Sequence, residues 1–428
     1  MQATLVTKDG QPTIPLRRNR DLQLLLAGSS VSMLGSRLSA IAYPLLVLTL
    51  TGSPVVAGWA GCAVTAPSIL VYLPAGALVD RWDPRTAMLV SEVGRGAAIA
   101  TVVVALAFGD PSVPQLVAVA ISEGILEVFS ALSERRFVCS LAEPEKVAST
   151  LARSEARTHM AILIGRPLGG LLFGLGRALP FFADAISFAV SVGTLLRIGN
   201  RGRTRPEKAA NRRLGREVCE GLRWLASDRY SRVALPLTAG ATIIGQGLIM
   251  VFLAEAHAHH MPPVAVGVAL AASGGGGALG AAAASWLIPR IGYSLLHIQM
   301  WIWTCTFMVL ALLGDPSFSW VAIVMAILGF TGALGNIEFD TYLVRKTPEK
   351  MLARVISVGR LASFGALAVG PPLGGIFAER YGLRHATFLL FIAAAFLAVV
   401  AAATSLASRW VGARSFALLV ARRCRLRP

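Results

Sequence analysis

Charge is scarce in this chain. Asp, Glu, Lys and Arg together make up 15% of its 428 residues, against about 25% in an ordinary soluble domain. Too few polar side chains remain to cover a water-facing surface of this size, which excludes an ordinary soluble protein. Acidic residues are scarcer still, 23 against 40 Lys and Arg, for a net charge of +17. Cysteine is sparse: Cys62, Cys139, Cys219, Cys305 and Cys424 are scattered without metal-ligand spacing, so they read as free thiols and no metal is expected. No Gly-four residues-Gly-Lys-Ser/Thr loop is present. That excludes the usual ATP cradle, so any work must draw on a gradient. No catalytic constellation and no cofactor motif stands out, and an enzyme is not expected. No cleavable leader is expected either, because the first apolar run follows a polar tail and is long enough to span a bilayer.

What fills the chain is apolar: 55% of residues are hydrophobic. A spanning helix needs about 20 mostly apolar residues. Twelve such stretches begin near Leu22, Pro54, Thr86, Val113, Thr158, Phe181, Val233, Val264, Tyr293, Phe318, Arg354 and His385. Turn residues separate them, as in Thr51-Gly52-Ser53-Pro54 and Gly109-Asp110-Pro111-Ser112. Lipid offers backbone polar groups no partner, so the spans are expected to be continuous helices. With a cytoplasmic amino terminus, the alternate loops around Arg81, Arg135, Arg201 to Arg232, Arg290 and Arg345 and both tails hold nearly all the Lys and Arg; the opposite loops hold little beyond Arg177, Arg380 and Arg384. This is the positive-inside bias. It accounts for the net charge without a nucleic-acid partner, and no basic nucleic-acid module is present.

The chain also repeats itself. Pro84-Arg85 recurs as Pro289-Arg290, Gly109-Asp110-Pro111-Ser112 as Gly314-Asp315-Pro316-Ser317, and Gly165-Arg166-Pro167-Leu168-Gly169-Gly170 as Gly370-Pro371-Pro372-Leu373-Gly374-Gly375, each pair 205 residues apart. Three matches at one offset imply two six-helix halves in parallel repeat. The expected division is a cytoplasmic tail at 1–21, a first half at 22–198, a basic linker at 199–232, a second half at 233–408 and a basic cytoplasmic tail at 409–428. Within the linker, Leu214, Val218, Leu222 and Leu225 share one helical face. Such a face suits a helix lying on the membrane surface.

The loop Gly76-Ala77-Leu78-Val79-Asp80-Arg81-Trp82-Asp83-Pro84-Arg85 resembles the one joining the second and third helices of major facilitator superfamily transporters. Gly76, Asp80, Arg81 and Arg85 fall on that pattern; Asp83 and Pro84 depart from it. The runs Leu45 to Ser53, Ala183-Asp184-Ala185-Ile186-Ser187-Phe188 and Gly221-Leu222-Arg223-Trp224-Leu225 resemble the branch that holds the enterobactin exporter and macrolide-efflux proteins. The glycine motif is similar to the Gly-Pro-two residues-Gly-Gly motif of the superfamily's antiporters, with Arg166 in place of the first proline on helix five. Its residues Gly165, Gly169, Gly170, Gly370, Pro371, Gly374 and Gly375 are expected to let helices approach closely and bend. The resemblance implies an all-α major facilitator fold of twelve transmembrane helices and a secondary transporter of the bacterial cytoplasmic membrane, with both termini cytoplasmic. It implies proton-coupled export of a small amphipathic compound bound between the halves, by a monomer. An importer of the same fold is the alternative within transport, and a non-transporting receptor or assembly factor is the alternative outside it. Where relatives show Gly-Asp-Arg on helix one, this chain has Gly35-Ser36-Arg37, so no proton site is expected there. Asp80 is expected to meet the amino-terminal end of helix eleven and act as a conformational switch.

Ionisable groups within spans cost about 2.5 to 3.5 kcal/mol each on insertion scales, so those present need a role. Glu123 and Glu127 lie one turn apart on the fourth span. Carboxylates that close can share a proton, which makes them the candidate coupling pair; the alternative is that each pairs with an Arg on a neighbouring helix. Arg37, Arg166 and Arg360 are substrate-cavity candidates, and depth counting pairs Arg166 with Glu127. Glu92 and Arg95 are read as a structural pair. Glu338 and Asp340 are placed at an inner gate, and Asp184, near the outer end of helix six, as a cap or gate. His257, His259 and His260 read as a solvated loop.

Overall fold

The computed structural model describes residues 20–79, 81–141, 157, 160–161, 164–165, 168–199, 214–291, 295–313 and 318–424, and every regular element among them is helical. The helices in chain order are α1 (Arg20–Thr51), α2 (Pro54–Val79), α3 (Pro84–Phe108), α4 (Val113–Leu141), α6 (Leu179–Arg197), α7 (Leu214–Ser227), α8 (Ser231–Ala258), α9 (Pro263–Ile291), α10 (Leu295–Leu313), α11 (Phe318–Lys346), α12 (Glu349–Tyr381) and α13 (Leu383–Cys424). Between α4 and α6, residues 168–175 are helical and are labelled α5. Eleven of the described helices are long and apolar enough to cross a membrane. The remaining expected span, the fifth, is described in part, at 160–161, 164–165 and 168–175. Helix α13 continues to Cys424, past the expected span end at 408.

The helix ends follow from local chemistry. Gly52 takes φ +65°, a left-handed conformation open to glycine at little cost, and its N–H closes on the Leu48 carbonyl at 2.8 Å to end α1. Pro54 then opens α2, where its missing N–H is no loss. Gly382, at φ +78°, ends α12 in the same way against the Ala378 carbonyl. Asp83 and Pro84, the two departures from the loop pattern, start α3: the Asp83 carboxylate accepts from the Thr86 N–H at 2.9 Å and Pro84 takes the first helical position.

The chain divides into two compact units, Met1–Gly52 with Trp59–Arg212 and His260–Gly274, and Ser53–Gly58 with Arg213–His259 and Gly275–Pro428. In the first unit α1 packs on α6 and α4, and α3 on α4 and α6. One apolar cluster, Leu25, Met88, Phe137, Val138, Leu195 and Ile198, joins α1, α3, α4 and the end of α6. In the second unit α8 packs on α12 and α13, α13 on α10, and the amphipathic α7 on α12. Helix α7 is fastened there by Glu220 with Arg354 at 2.5 Å, and by Gly221, whose missing side chain leaves room for the Arg354 backbone.

Lipid tails are as apolar as leucine, so spans associate through close packing rather than the hydrophobic effect. The glycine motif supplies it in both units. A side chain at Gly165 or Gly169 would strike Arg37, Leu38 and Ile41 of α1, and one at Gly370 or Gly374 would strike Ile243, Gln246 and Gly247 of α8. The sequence repeat is therefore a packing repeat: the glycine face of the fifth span meets the first helix of its unit, and that of the eleventh meets the seventh span. A Cβ at Gly374 would lie 2.8 Å from the Gly247 Cα, a backbone atom that cannot swing away, whereas one at Gly359 meets nothing within 4 Å. Gly374→Leu should abolish monodisperse folded protein in detergent and Gly374→Ala should lower its thermal midpoint, while Gly359→Ala leaves both unchanged. Wild-type yield and midpoint for Gly374→Leu would refute this packing.

Candidate functional site: a buried charge cluster

The first unit holds a polar network inside apolar helices, arranged along one stripe of α1. Ser29, Ser32, Ser36, Ser39 and Tyr43 recur at spacings of three and four, which places them on one helical face. Each meets a charged group from another helix. Ser29 donates to Glu134 at 2.9 Å, Ser32 to Glu92 at 2.7 Å, Ser39 to Asp184 at 2.5 Å and Tyr43 to Glu123 at 2.9 Å, while Ser36 accepts from Arg95 at 2.7 Å. Gly35 lets α6 come close, because a side chain there would collide with Asp184 and Ser187.

Arg95 is the cation of the network. It is 5% exposed, lies 3.8 Å from Glu92 one turn away on α3, and stacks over the Phe188 ring of α6 at 4.5 Å. Glu92 is met from three sides, by Arg95, by Ser130 of α4 donating to one carboxylate oxygen and by Ser32 of α1 donating to the other. The two residues read from sequence as a structural pair thus sit where α1, α3 and α4 meet. Glu123 and Asp184 are buried as deeply, 5% and 0% exposed, yet neither has an ion-pair partner within 4 Å among the described residues. Glu123 Oε1 has no hydrogen-bond partner there at all. The Tyr43 ring that reaches Glu123 is set by an edge contact with Phe181 on α6, centroids 5.2 Å apart.

The two α4 candidates therefore differ. Glu127 is half exposed and pairs with Arg37 at 3.5 Å. The sequence reading chose Arg166 as its partner, and Arg166 lies outside the described residues. Arg37 was missed because it sits on α1, ninety positions away, and depth counting does not show which helices face each other. Asp184 is not at a shallow cap: it is in the second turn of α6, fully enclosed. Glu134 with Arg157 at 3.4 Å extends the network beyond Glu92, and neither residue was singled out from sequence.

Gly76 lies in the last turn of α2, where an added Cβ would meet nothing within 4 Å; in the turn that follows, Asp80 lies outside the described residues and Arg81 is exposed. Arg85 donates to the Leu195 and Leu196 carbonyls at the end of α6, 2.9 and 3.0 Å away, where the helix dipole favours a cation. In the second unit Glu338 is 3% exposed and accepts from the Tyr230 hydroxyl at 2.8 Å, while Asp340 is exposed and Arg360 half-buried. Beside Glu338, Asp228 caps α8 through the Ser231 N–H and accepts from Tyr342. Burial alone would push the Asp228 carboxyl up, but the Ser231 bonds, the Tyr342 hydroxyl and Lys346 outweigh it and hold it below the usual carboxylate range. His259 Nδ1 meets the Glu255 carbonyl at 3.0 Å, and no group of three metal-ligating side chains is found among the described residues.

Among the described residues the chain holds eleven helices long and apolar enough to span a membrane, with ionisable groups buried in the first unit. Solved structures share its fold. A bacterial homologue of the iron transporter ferroportin aligns over 92% of this chain and 100% of its own, with a TM-score of 0.70 at 16% identity. The nucleoside transporter NupG aligns over 90% and 98%, with a TM-score of 0.70 at 13% identity. At these identities the likeness shows the fold alone, one that this chain shares with those membrane transporters. The model of one family, the transmembrane secretion effectors, matches residues 11–417, and the chain belongs to that family. Among curated relatives, the multidrug efflux pump Tap of Mycobacterium tuberculosis (strain ATCC 25618 / H37Rv) is 26% identical over 378 residues, 86% of this chain and 88% of the relative. Tap of Mycolicibacterium fortuitum is 28% identical over 381 residues, 86% and 91% of the two chains.

Arg95 is the group whose loss the cluster should tolerate least. Removing one member of a buried pair costs about 3 to 5 kcal/mol, more than removing both. Arg95→Met and Glu92→Gln should each lower the thermal midpoint in detergent, and the double variant should fall by less than the sum. Strict additivity would show that the two are not coupled. Arg37→Met, at a half-exposed pair, should cost no more than about 1 kcal/mol.

Proposed function

We propose that this chain is a proton-coupled exporter of small amphipathic compounds, working by alternating access in the bacterial cytoplasmic membrane as a monomer with both termini on the cytoplasmic side. The observation that carries the reading is the surplus of buried acid among the described residues of the first unit: Glu92, Glu123 and Asp184 share one buried cation, Arg95. An isolated carboxylate in apolar surroundings takes a proton rather than remain charged. Glu92 is matched by Arg95 and two serines, so the proton belongs to the unmatched acids, Glu123 foremost. Its free oxygen, Oε1, is where the proton sits. Export rather than import is supported by the family and by relatives named as multidrug efflux pumps.

The energies fit that work. A charge buried within a span costs about 2.5 to 3.5 kcal/mol, and one proton crossing 100 mV supplies about 2.3 kcal/mol. The gradient is thus large enough to switch the protonation of such a site and too small to make either state permanent. In the cycle we propose, protonation of Glu123 from outside favours substrate release and return, and loss of the proton to the cytoplasm resets substrate binding. Arg37 and Arg360 are retained as substrate contacts, and Glu127 as the partner that positions Arg37.

The test uses proteoliposomes and tetraphenylphosphonium as the probe. Glu123→Gln should lose accumulation driven by a pH gradient, about tenfold per pH unit when one proton exchanges for one monovalent cation, while equilibrium binding of the probe persists. Wild-type proton-driven transport by this variant would sink the proposal.

A further inference from the structure

Asp184 stands out once the neighbouring acids are compared by what their hydrogen-bond donors can do. The two serines on Glu92, Ser32 and Ser130, each have that carboxylate as their acceptor. With Arg95 alongside, the surroundings of Glu92 suit an anion only. The donors on Asp184 are built differently. Ser39 Oγ lies 2.5 Å from Asp184 Oδ2 and also 3.3 Å from the Ser36 carbonyl. Ser187 Oγ lies 3.2 Å from Asp184 Oδ1 and also 2.7 Å from the Asp184 carbonyl. A hydroxyl carries one hydrogen and can aim it at only one acceptor, while its oxygen still accepts. Each serine can therefore serve a carboxylate by donating to it, or turn its hydrogen to the backbone carbonyl and accept from a carboxylic acid.

We infer that Asp184 is a second proton-carrying carboxylate of this transporter, served in both protonation states by the re-aimed hydroxyls of Ser39 and Ser187. The step balances without other reactants. A proton arriving at Oδ2 makes the neutral acid, whose O–H donates to Ser39 Oγ, and the Ser39 hydrogen moves to the Ser36 carbonyl. When the proton leaves, the Ser39 hydroxyl swings back to Oδ2. No buried polar atom is stranded at either stage, which is the condition for a buried acid to titrate without destabilising the fold. Among the described residues the charged and titratable groups that act on it are Tyr43 of α1, Arg95 of α3 and Glu123 of α4, with Glu92 paired to Arg95 and Glu127 to Arg37. Arg95 is within electrostatic range of all four carboxylates, Glu127, Glu92, Glu123 and Asp184. With Arg95 paired to Glu92, no other buried cation among the described residues matches Glu123 and Asp184 if both are charged. The sequence placed Asp184 as a cap or gate; two hydroxyls with a choice of acceptor serve a proton site better than a cap.

The inference rests on the proton-coupled reading, and its experiment is independent of transport. Full-length protein in lipid nanodiscs is taken from acid to alkaline pH, and the carbonyl stretch of protonated carboxyl groups is followed by infrared difference spectroscopy. The wild type should lose two such bands; Glu123→Gln should lack one and Asp184→Asn the other. An Asp184→Asn spectrum identical to the wild type overturns the inference. Should that variant fail to fold, Ser39→Ala and Ser187→Ala serve instead. Each should move the Asp184 band by removing its hydrogen-bond partner, and no movement in either overturns the inference equally. If the Asp184 band titrates but Glu123→Gln still transports on the gradient, the coupled reading has failed; if Glu123→Gln is inactive and the Asp184 band is absent, this inference has.

Discussion

One guanidinium in an apolar bundle organises the first unit. Arg95 is nearly sealed from solvent, and its charge is affordable only because Glu92, Ser36 and the Phe188 face surround it. Those partners come from α1, α3 and α6, and Glu92 adds α4 through Ser130. The same cation holds three helices together and, in the proposed cycle, sets the field around Glu123 and Asp184. Ser36 receives the Arg95 hydrogen bond without adding another negative charge. It leaves the acid balance to α4 and α6.

The second unit repeats the packing but not the charge. Gly370 and Gly374 let α12 meet α8 as the first-half glycines let the fifth span meet α1. In place of an Arg-centred network it has aromatic and hydroxyl pairs: Trp303 Nε1 donates to Thr331 at 2.8 Å, Tyr230 to Glu338 and Tyr342 to Asp228. The duplication is thus one of scaffold. Among the described residues the Arg-centred network belongs to the first unit, while the second holds its buried carboxylate, Glu338, on a tyrosine hydroxyl.

The fold was legible because its causes are local and additive. Span length, turn residues, basic loops and a repeat at one offset each follow from bilayer physics and can be read without knowing which helices touch. The site was legible only in part. Glu123 was singled out by depth, since an acid in mid-span must be accounted for wherever its partners lie. The Arg37–Glu127 pair was not legible, because pairing depends on helix rotation, and Arg37 reaches Glu127 from the first span. Nor was the enclosure of Asp184, because counting residues from a helix end measures position along the axis and not what covers the side chain. The serines and tyrosine of α1 carried a readable signal, a three-four spacing of hydroxyls through an apolar span, and it went unused because single serines are common in membrane helices.

The central claim is that protonation of these acids and movement of substrate are one linked event. It is tested most directly by running the cycle backwards: proteoliposomes containing a pH-sensitive dye and clamped in potential are given a gradient of tetraphenylphosphonium with no pH gradient. The account predicts that the probe, flowing down its gradient, drives protons in the opposite direction and shifts the internal pH. Flow of the probe through the wild-type protein with a flat internal pH would contradict it.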